Sequence, residues 1–372
     1  MGFQFDKIPV NTLVGASLGA FNDICRGRNI GKGYRTKYHL TKIVAALLAP
    51  FGWIENSIYK RKLANKELEM EQAPVFILGH WRSGTTYVHN VLSCDKQFGF
   101  TTTYQTVFPN LMLFGQPFFK WIMERVMPNK RPMDSLELEP DLPQEEEFAI
   151  QGVSKCNYYN FWIFPQNMME YCDKFLLMND ITAEEQREFD EAFDKVVRTS
   201  LWNTGGKRYL SKNPPHTGRV KELIKLYPNA KFIYLMRNPY PVFESTRGFF
   251  TQTCAPLKLH DISDDELTAN CVEIYSKLYD KYQDDKKHIP EGNLIEIKFE
   301  DFEADAIGVT KRIYETLSLD GFEEALPAME SYVGGKKGYK KNKHKYSPTT
   351  IETVEKHWRR ALDDWGYHLE RE

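Results

Sequence analysis

The chain has 372 residues, 42% of them apolar and 27% charged, with a net charge of −2. These values fit a folded globular protein with a sizeable core and exclude wholesale disorder. The near-neutral balance argues against a chain built to coat nucleic acid. Six scattered cysteines without a CxxC pair argue against a zinc site or a disulfide framework.

The cysteines read as reduced, mostly buried thiols of a cytoplasmic protein. Met1–Val10 lacks the basic stretch and apolar core of a secretory signal. The first 66 residues hold eleven Lys or Arg against three acids. Their apolar run Ile43–Ile54 contains Pro50 and Gly52 and is too short to span a bilayer. We expect a basic helical extension over residues 1–73, ahead of a main domain at 74–372. Its helices either lie on an anionic membrane surface or pack their apolar face on the main domain.

From Pro74 the pattern becomes strand, turn, helix. Pro74–Gly79 is a short apolar run that reads as a buried strand, followed by a helix over Thr85–Cys94. Glu184–Trp202 reads as a long helix capped by Thr182, with Glu185 completing the box. A strand is expected at Arg208–Ser211 and a helix at Thr217–Tyr227, stopped by Pro228. Lys231–Met236 is a second strong strand, followed by a helix over Pro239–Phe250 with proline in its first turn. A long helix at Asp264–His288 and a strand at Leu294–Phe299 follow. This alternation predicts an α/β fold: a P-loop-like parallel sheet flanked by helices, with the helical N-terminal extension in front.

The segment Gly79-His80-Trp81-Arg82-Ser83-Gly84-Thr85-Thr86 joins the first strand to its helix. Two glycines five apart let successive amide groups turn inward, and the helix start adds partial positive charge. A nucleotide-triphosphate loop would carry lysine after the second glycine, but this chain has Thr85 and places its cation within the loop, at Arg82. Magnesium also needs a carboxylate at a neighbouring strand end. Here Lys231–Met236 runs into Arg237-Asn238-Pro239. Side chains rather than a metal therefore supply the positive charge.

These residues carry a family resemblance. Arg-Ser-Gly-Thr-Thr after a strand, followed by Arg237-Asn238-Pro239 with Ser245 eight residues beyond the arginine, resembles the sulfotransferases that use 3′-phosphoadenosine 5′-phosphosulfate (PAPS). The bacterial branch common in Bacteroidota is the most similar. The resemblance covers Pro74 to Tyr367. It implies that Arg82, Ser83, Gly84, Thr85 and Thr86 bind the 5′-phosphosulfate. It implies that Arg237 and Ser245 bind the 3′-phosphate, which a guanidinium can grip through two oxygens. By the same resemblance Lys212, in Ser211-Lys212-Asn213-Pro214, stabilises the sulfonate during transfer. The histidine base that animal members carry two residues after this lysine is replaced by Pro214.

Another residue must then be the base. The run Asp134–Glu147 holds seven acids, and its end resembles a Pro-x-Glu motif of the bacterial branch. Glu145 is the first choice, Glu147 the second and His216 the alternative. A glycine- and lysine-rich segment over residues 332–346 resembles the family's lid, with Lys340 and Lys343 as candidate contacts to the 3′-phosphate. The implied partner is a small-molecule hydroxyl acceptor, not nucleic acid, and no metal is required. Aromatics crowd Phe98–Trp121 and Tyr158–Tyr171, on the acceptor side of the cleft in the family. They favour a hydrophobic alcohol such as a steroid or lipid. A carbohydrate remains an alternative because sugars stack on aromatic rings, and a small-molecule kinase is the rival chemistry. The protein is expected to be cytoplasmic, with peripheral membrane contact through residues 1–66.

Overall fold

The computed structural model describes residues 10–64, 72–126, 139–335 and 346–369. The apolar run Val75–Leu78 forms β1, buried along its whole length. β1 pairs in parallel with β3 (Arg208–Lys212) on one side and with β4 (Lys231–Met236) on the other. β2 (Phe98–Gly99) and β5 (Leu294–Lys298) flank these, giving the order β2-β3-β1-β4-β5 with every neighbour parallel.

Side chains of a strand alternate between faces. Phe76, Leu78, Phe232, Tyr234 and Met236 therefore enter one apolar core, while Val75, Ile77, Ile233 and Leu235 enter another on the opposite face. The first core is capped by the helices Pro239–Leu257 and Asp264–Asp285, the second by Thr85–Leu92 and Ala306–Leu317. Both faces are covered, as a parallel sheet requires. The chain leaves β1 toward one edge of the sheet and β4 toward the other. The carboxyl ends of these two strands thus flank the point where strand order reverses, the usual place for a crevice in such sheets.

The four strands read from sequence are present. β2 has only two residues, too few to show any alternation, and was not anticipated. The helix expected at Thr217–Tyr227 is split into a 3₁₀ turn, Pro214–Gly218, and a short helix, Val220–Leu226. Two prolines and a glycine pressed against backbone explain the break, since a Cβ on Gly218 would lie 2.4 Å from the Leu176 carbonyl oxygen. The helix from Pro239 continues past Phe250 to Leu257, because Thr253, Cys254 and Leu257 go on filling the core. Thr182 does cap the long helix Ala183–Thr204 through a capping box with Glu185. Five of the six cysteines are buried and all six are unpaired.

The described part of residues 1–73 shares the main core. Leu13, Ala16, Phe21 and Ile24 pack into the same apolar cluster as one face of the sheet. The Ser17 amide donates to the Gly152 carbonyl at 3.0 Å. A 28-residue helix, Arg35–Lys62, then runs across the surface. Its one acid, Glu55, is buried and accepts hydrogen bonds from the Leu113 and Phe114 amides at 2.8–2.9 Å. Glu55→Ala strands those two amides without an acceptor. It is expected to lower the unfolding free energy by about 1–3 kcal/mol, read by urea denaturation; unchanged stability would mean that this anchor contributes nothing.

Candidate active site

The loop after β1 is shaped by three residues in unusual backbone conformations. Gly79 has φ +144°, and a Cβ there would meet the Leu235 carbonyl oxygen at 2.6 Å. Gly84 has φ +91°, and a Cβ there would lie 2.2 Å from the Phe299 ring. Between them Arg82 sits at φ +67°, a region that residues with side chains seldom occupy. Such a turn stays in place only where its surroundings impose it. Thr217 supplies part of that constraint: its hydroxyl accepts from the Gly79 amide at 2.8 Å and lies 3.2 Å from the Gly79 carbonyl. Gly84 caps the helix Thr85–Leu92, so Thr85 and Thr86 form its first turn and Ser83 immediately precedes the cap.

The two anion-binding motifs read from sequence meet here. Arg82 Nε donates to Ser245 Oγ at 2.8 Å, and Arg237 Nη1 donates to the Arg82 carbonyl at 3.0 Å. Arg82 also lies 5.4 Å from the Phe249 ring centroid, and Arg237 lies 4.6 Å from that of Phe299. The two guanidinium groups are thus oriented by aromatic faces as well as by hydrogen bonds. Ser83, Gly84, Thr85, Thr86, Arg237 and Ser245 all gather at the carboxyl ends of β1 and β4. Lys340 and Lys343 lie outside the described residues, as does most of the segment 332–346.

Lys212 ends β3, and its side chain is 1% exposed. Its ammonium is paired with Glu145, which precedes the helix Glu146–Gln151. The Tyr159 hydroxyl donates to the other Glu145 oxygen. Tyr159 in turn accepts from the Trp81 indole at 2.9 Å. Burial first, and then the neighbouring Glu145 charge, push the Tyr159 phenol well above its ordinary range, so it remains a donor at neutral pH. A chain of hydrogen bonds therefore links the loop after β1 to Glu145. Burial also pushes His80, at the start of the loop, down to about 4, which leaves its imidazole neutral.

The next two glutamates are engaged elsewhere. Glu146 is buried, with Ser211 donating to it and His216 Nε2 lying 3.0 Å away. Glu147 is 0% exposed and forms a two-pronged ion pair with Arg219, at 2.7 Å for both contacts. Asn213 and the Tyr158 amide donate to the same carboxylate. Burial alone would raise the Glu147 pKa, but the Arg219 charge and hydrogen bonds outweigh it and hold the group below the usual 4.5. Glu145, Glu147 and His216 are therefore close in sequence or space but unlike in setting: the Glu145 side chain is 15% exposed, whereas Glu147 and His216 are sealed in the interior.

Sequence reasoning missed Trp81, Tyr159 and Arg219. Trp81 lies inside the recognised loop and Tyr159 inside a recognised aromatic stretch, so both were within view. Nothing local could pair Arg219 with a glutamate 72 residues away. The two aromatic stretches also part company. Tyr158, Tyr159, Phe161 and Trp162 are buried, whereas Phe118 and Trp121 stand exposed. Among the described residues no group of three or more His, Cys, Asp or Glu side chains is placed to hold a metal ion.

Glu147→Gln leaves a buried guanidinium unpaired and is expected to cost about 3–5 kcal/mol in urea denaturation. Joint replacement, Glu147→Leu with Arg219→Met, should recover most of that loss, because no buried charge is then left alone. A carboxyl with a lowered folded pKa stabilises above its unfolded value, and that contribution is lost as pH falls through the folded value. Wild-type stability should therefore drop below pH 4.5 by more than that of the double variant. Full stability in Glu147→Gln combined with lost turnover would instead place Glu147 in the chemistry.

The chain is 29% identical over 318 residues to the omega-hydroxy-beta-dihydromenaquinone-9 sulfotransferases of Mycobacterium bovis and Mycobacterium tuberculosis, covering 85% of this chain and 80% of each relative. Its fold is similar to that of sulfotransferase STF9 from Mycobacterium avium, with a TM-score of 0.74 at 15% identity over 100% of this chain and 94% of the other. Sulfotransferase STF1 from Mycobacterium tuberculosis gives a TM-score of 0.64 at 17% identity, covering 96% and 93%. The sulfotransferase family model matches residues 74–324, well over half of the sequence, and the chain belongs to that family.

Proposed function

We propose that the chain transfers the sulfonate group of PAPS to the hydroxyl of a hydrophobic alcohol of the steroid or lipid class. One observation carries the reading: Arg82 touches Ser245 and is touched by Arg237, so the two anion-binding motifs form one site beside the Lys212–Glu145 pair. The donor fits this site by its chemistry. It bears anionic groups at two ends. The loop amides, Arg82, Ser83, Thr85 and Thr86 suit the 5′ end, while Arg237 and Ser245 suit the 3′-phosphate. The position after Gly84 is threonine and β4 is followed by Arg237, so the lysine and the metal-binding carboxylate of a kinase are both missing from their usual places.

Glu145 is the base in this proposal. Its carboxylate takes the proton of the acceptor hydroxyl as the oxygen bonds to sulfur and the bond from sulfur to the phosphate oxygen breaks. Lys212 and Arg82 offset charge on the transferring and departing oxygens. Tyr159 holds the Glu145 oxygen in place from the loop side. Glu147 and His216 are set aside as bases, since each is buried within a polar contact of its own. The acceptor class draws support from the aromatic surroundings of Tyr159 and from the mycobacterial relatives, whose name specifies an omega-hydroxylated menaquinone. Six unpaired cysteines are consistent with a reducing, cytoplasmic setting.

Adenosine 3′,5′-bisphosphate at 100 times its dissociation constant is expected to stabilise the protein by about 2.7 kcal/mol, seen as a rise in melting temperature. Arg237→Ala should abolish the rise. A rise with magnesium ATP and none with the bisphosphate would restore the kinase. Glu145→Gln should keep the bisphosphate shift but lose ~10²-fold or more in turnover with PAPS and a lipid alcohol. Wild-type turnover in that variant would remove Glu145 from the base role.

A further inference from the structure

The exposed apolar side chains of this protein are not scattered. The helix Arg35–Lys62 presents Leu40, Ile43, Leu47 and Ile54 to solvent, at spacings that place them along one face. Trp53, at the rim of that face, is 73% exposed. Two other helices extend the patch. Phe51 packs against the rings of Phe114 and Phe119 at about 6 Å, which joins the stripe to the helix Gln116–Val126 and its exposed Phe118 and Trp121. At the other end, Lys62 lies 5.4 Å from the ring of Trp202, itself half exposed on the helix Ala183–Thr204.

The exposed charges of the helix Arg35–Lys62 have one sign, while the helix Gln116–Val126 adds one exposed acid, Glu124, beside Arg125. Ile43–Ile54 carries no charge at all. Arg35, Lys37 and Lys42 lie before it, and Lys60, Arg61 and Lys62 after it. The single acid of the helix, Glu55, is turned inward onto the Leu113 and Phe114 amides. Arg125 covers the Trp121 ring at 3.8 Å, an aromatic and a cation side by side of the kind that sits well among lipid headgroups.

We propose that this three-helix face docks the protein on an anionic lipid surface, with the helix Arg35–Lys62 lying in the plane of the headgroups. Twelve uncharged residues are too few to cross a bilayer, which needs about 20, and no described helix is long and apolar enough to do so. An apolar face with basic flanks is the form that binds in the plane of an interface. A second copy of the chain is a poorer occupant. Both ends of the stripe are basic, so pairing stripe to stripe sets cations against cations in either direction. The inference stands on the surface alone and does not depend on the acceptor proposed above.

The test is cosedimentation of the full chain with vesicles. One set is phosphatidylcholine alone and the other equal parts phosphatidylcholine and phosphatidylglycerol. Binding is expected to the anionic set, weakening as salt is raised. The double variant Leu47→Glu with Trp53→Glu should cut the bound fraction ~10-fold or more, with its melting temperature and bisphosphate shift unchanged. Replacing Lys60, Arg61 and Lys62 by glutamine should weaken binding to the anionic vesicles without affecting either control. No binding of the wild type to anionic vesicles would overturn the proposal, as would undiminished binding in the Glu double variant. A wild-type dimer split into monomers by that variant in sedimentation velocity would overturn it in favour of an interface between copies.

Discussion

Three consecutive glutamates at the start of one short helix each meet a partner from β3 or the turn that follows it. Glu145 pairs with Lys212, Glu146 contacts His216, and Glu147 grips Arg219. The two segments lie 67 to 72 residues apart in the chain. Charges buried in this way are costly unless paired and hydrogen-bonded, so the clasp tolerates little displacement. Its innermost contact, the Glu147–Arg219 fork, also ties in Asn213 and the Phe175 carbonyl. Its outermost contact leaves Glu145 partly exposed. One ladder of polar contacts thus runs from the buried Glu147–Arg219 pair to the partly exposed Glu145 beside Lys212.

The loop Gly79–Gly84 is set against this ladder from the other side. Arg82 adopts a left-handed backbone conformation, which costs energy for any residue with a side chain. Thr217, on the same turn as His216, grips the loop at Gly79, and Arg237 grips it at the Arg82 carbonyl. Trp81 then reaches through Tyr159 to Glu145. Arg82, Ser245, Arg237, Trp81, Tyr159 and Glu145 are therefore parts of one hydrogen-bonded structure. Such preorganisation lets donors and charges act on a transferring group without rearranging during the reaction.

The N-terminal helices serve two surfaces at once. Inward they contribute Leu13, Phe21 and Ile24 to the main core and bury Glu55 on the chain near Leu113. Outward they leave Ile43, Leu47 and Trp53 uncovered. An amphipathic helix would ordinarily bury its apolar stripe in protein. Here the buried side of the helix is narrow, carrying Thr41, Ala45 and Glu55, and much of the bulky apolar surface faces out.

The sequence by itself determined the parallel sheet, because short apolar runs alternating with helical patterns leave few other arrangements. It also carried the loop Gly79–Thr86, whose glycines, arginine and threonines are contiguous, and the segment of Arg237 and Ser245 that the fold brings against it. Local rules sufficed for these features because their physics is local: backbone freedom at glycine, amides at a helix start, and burial of β-branched and aromatic runs. Only the tertiary structure decided which glutamate of Glu145-Glu146-Glu147 stays partly exposed. All three are the same residue type at a helix start, and they differ only in what the distant segment Lys212–Arg219 brings to each. It likewise decided that Phe118 and Trp121 are exposed while Tyr159 and Trp162 are buried. Aromatic residues look alike along the chain, and their roles depend on which of them the folded layers cover.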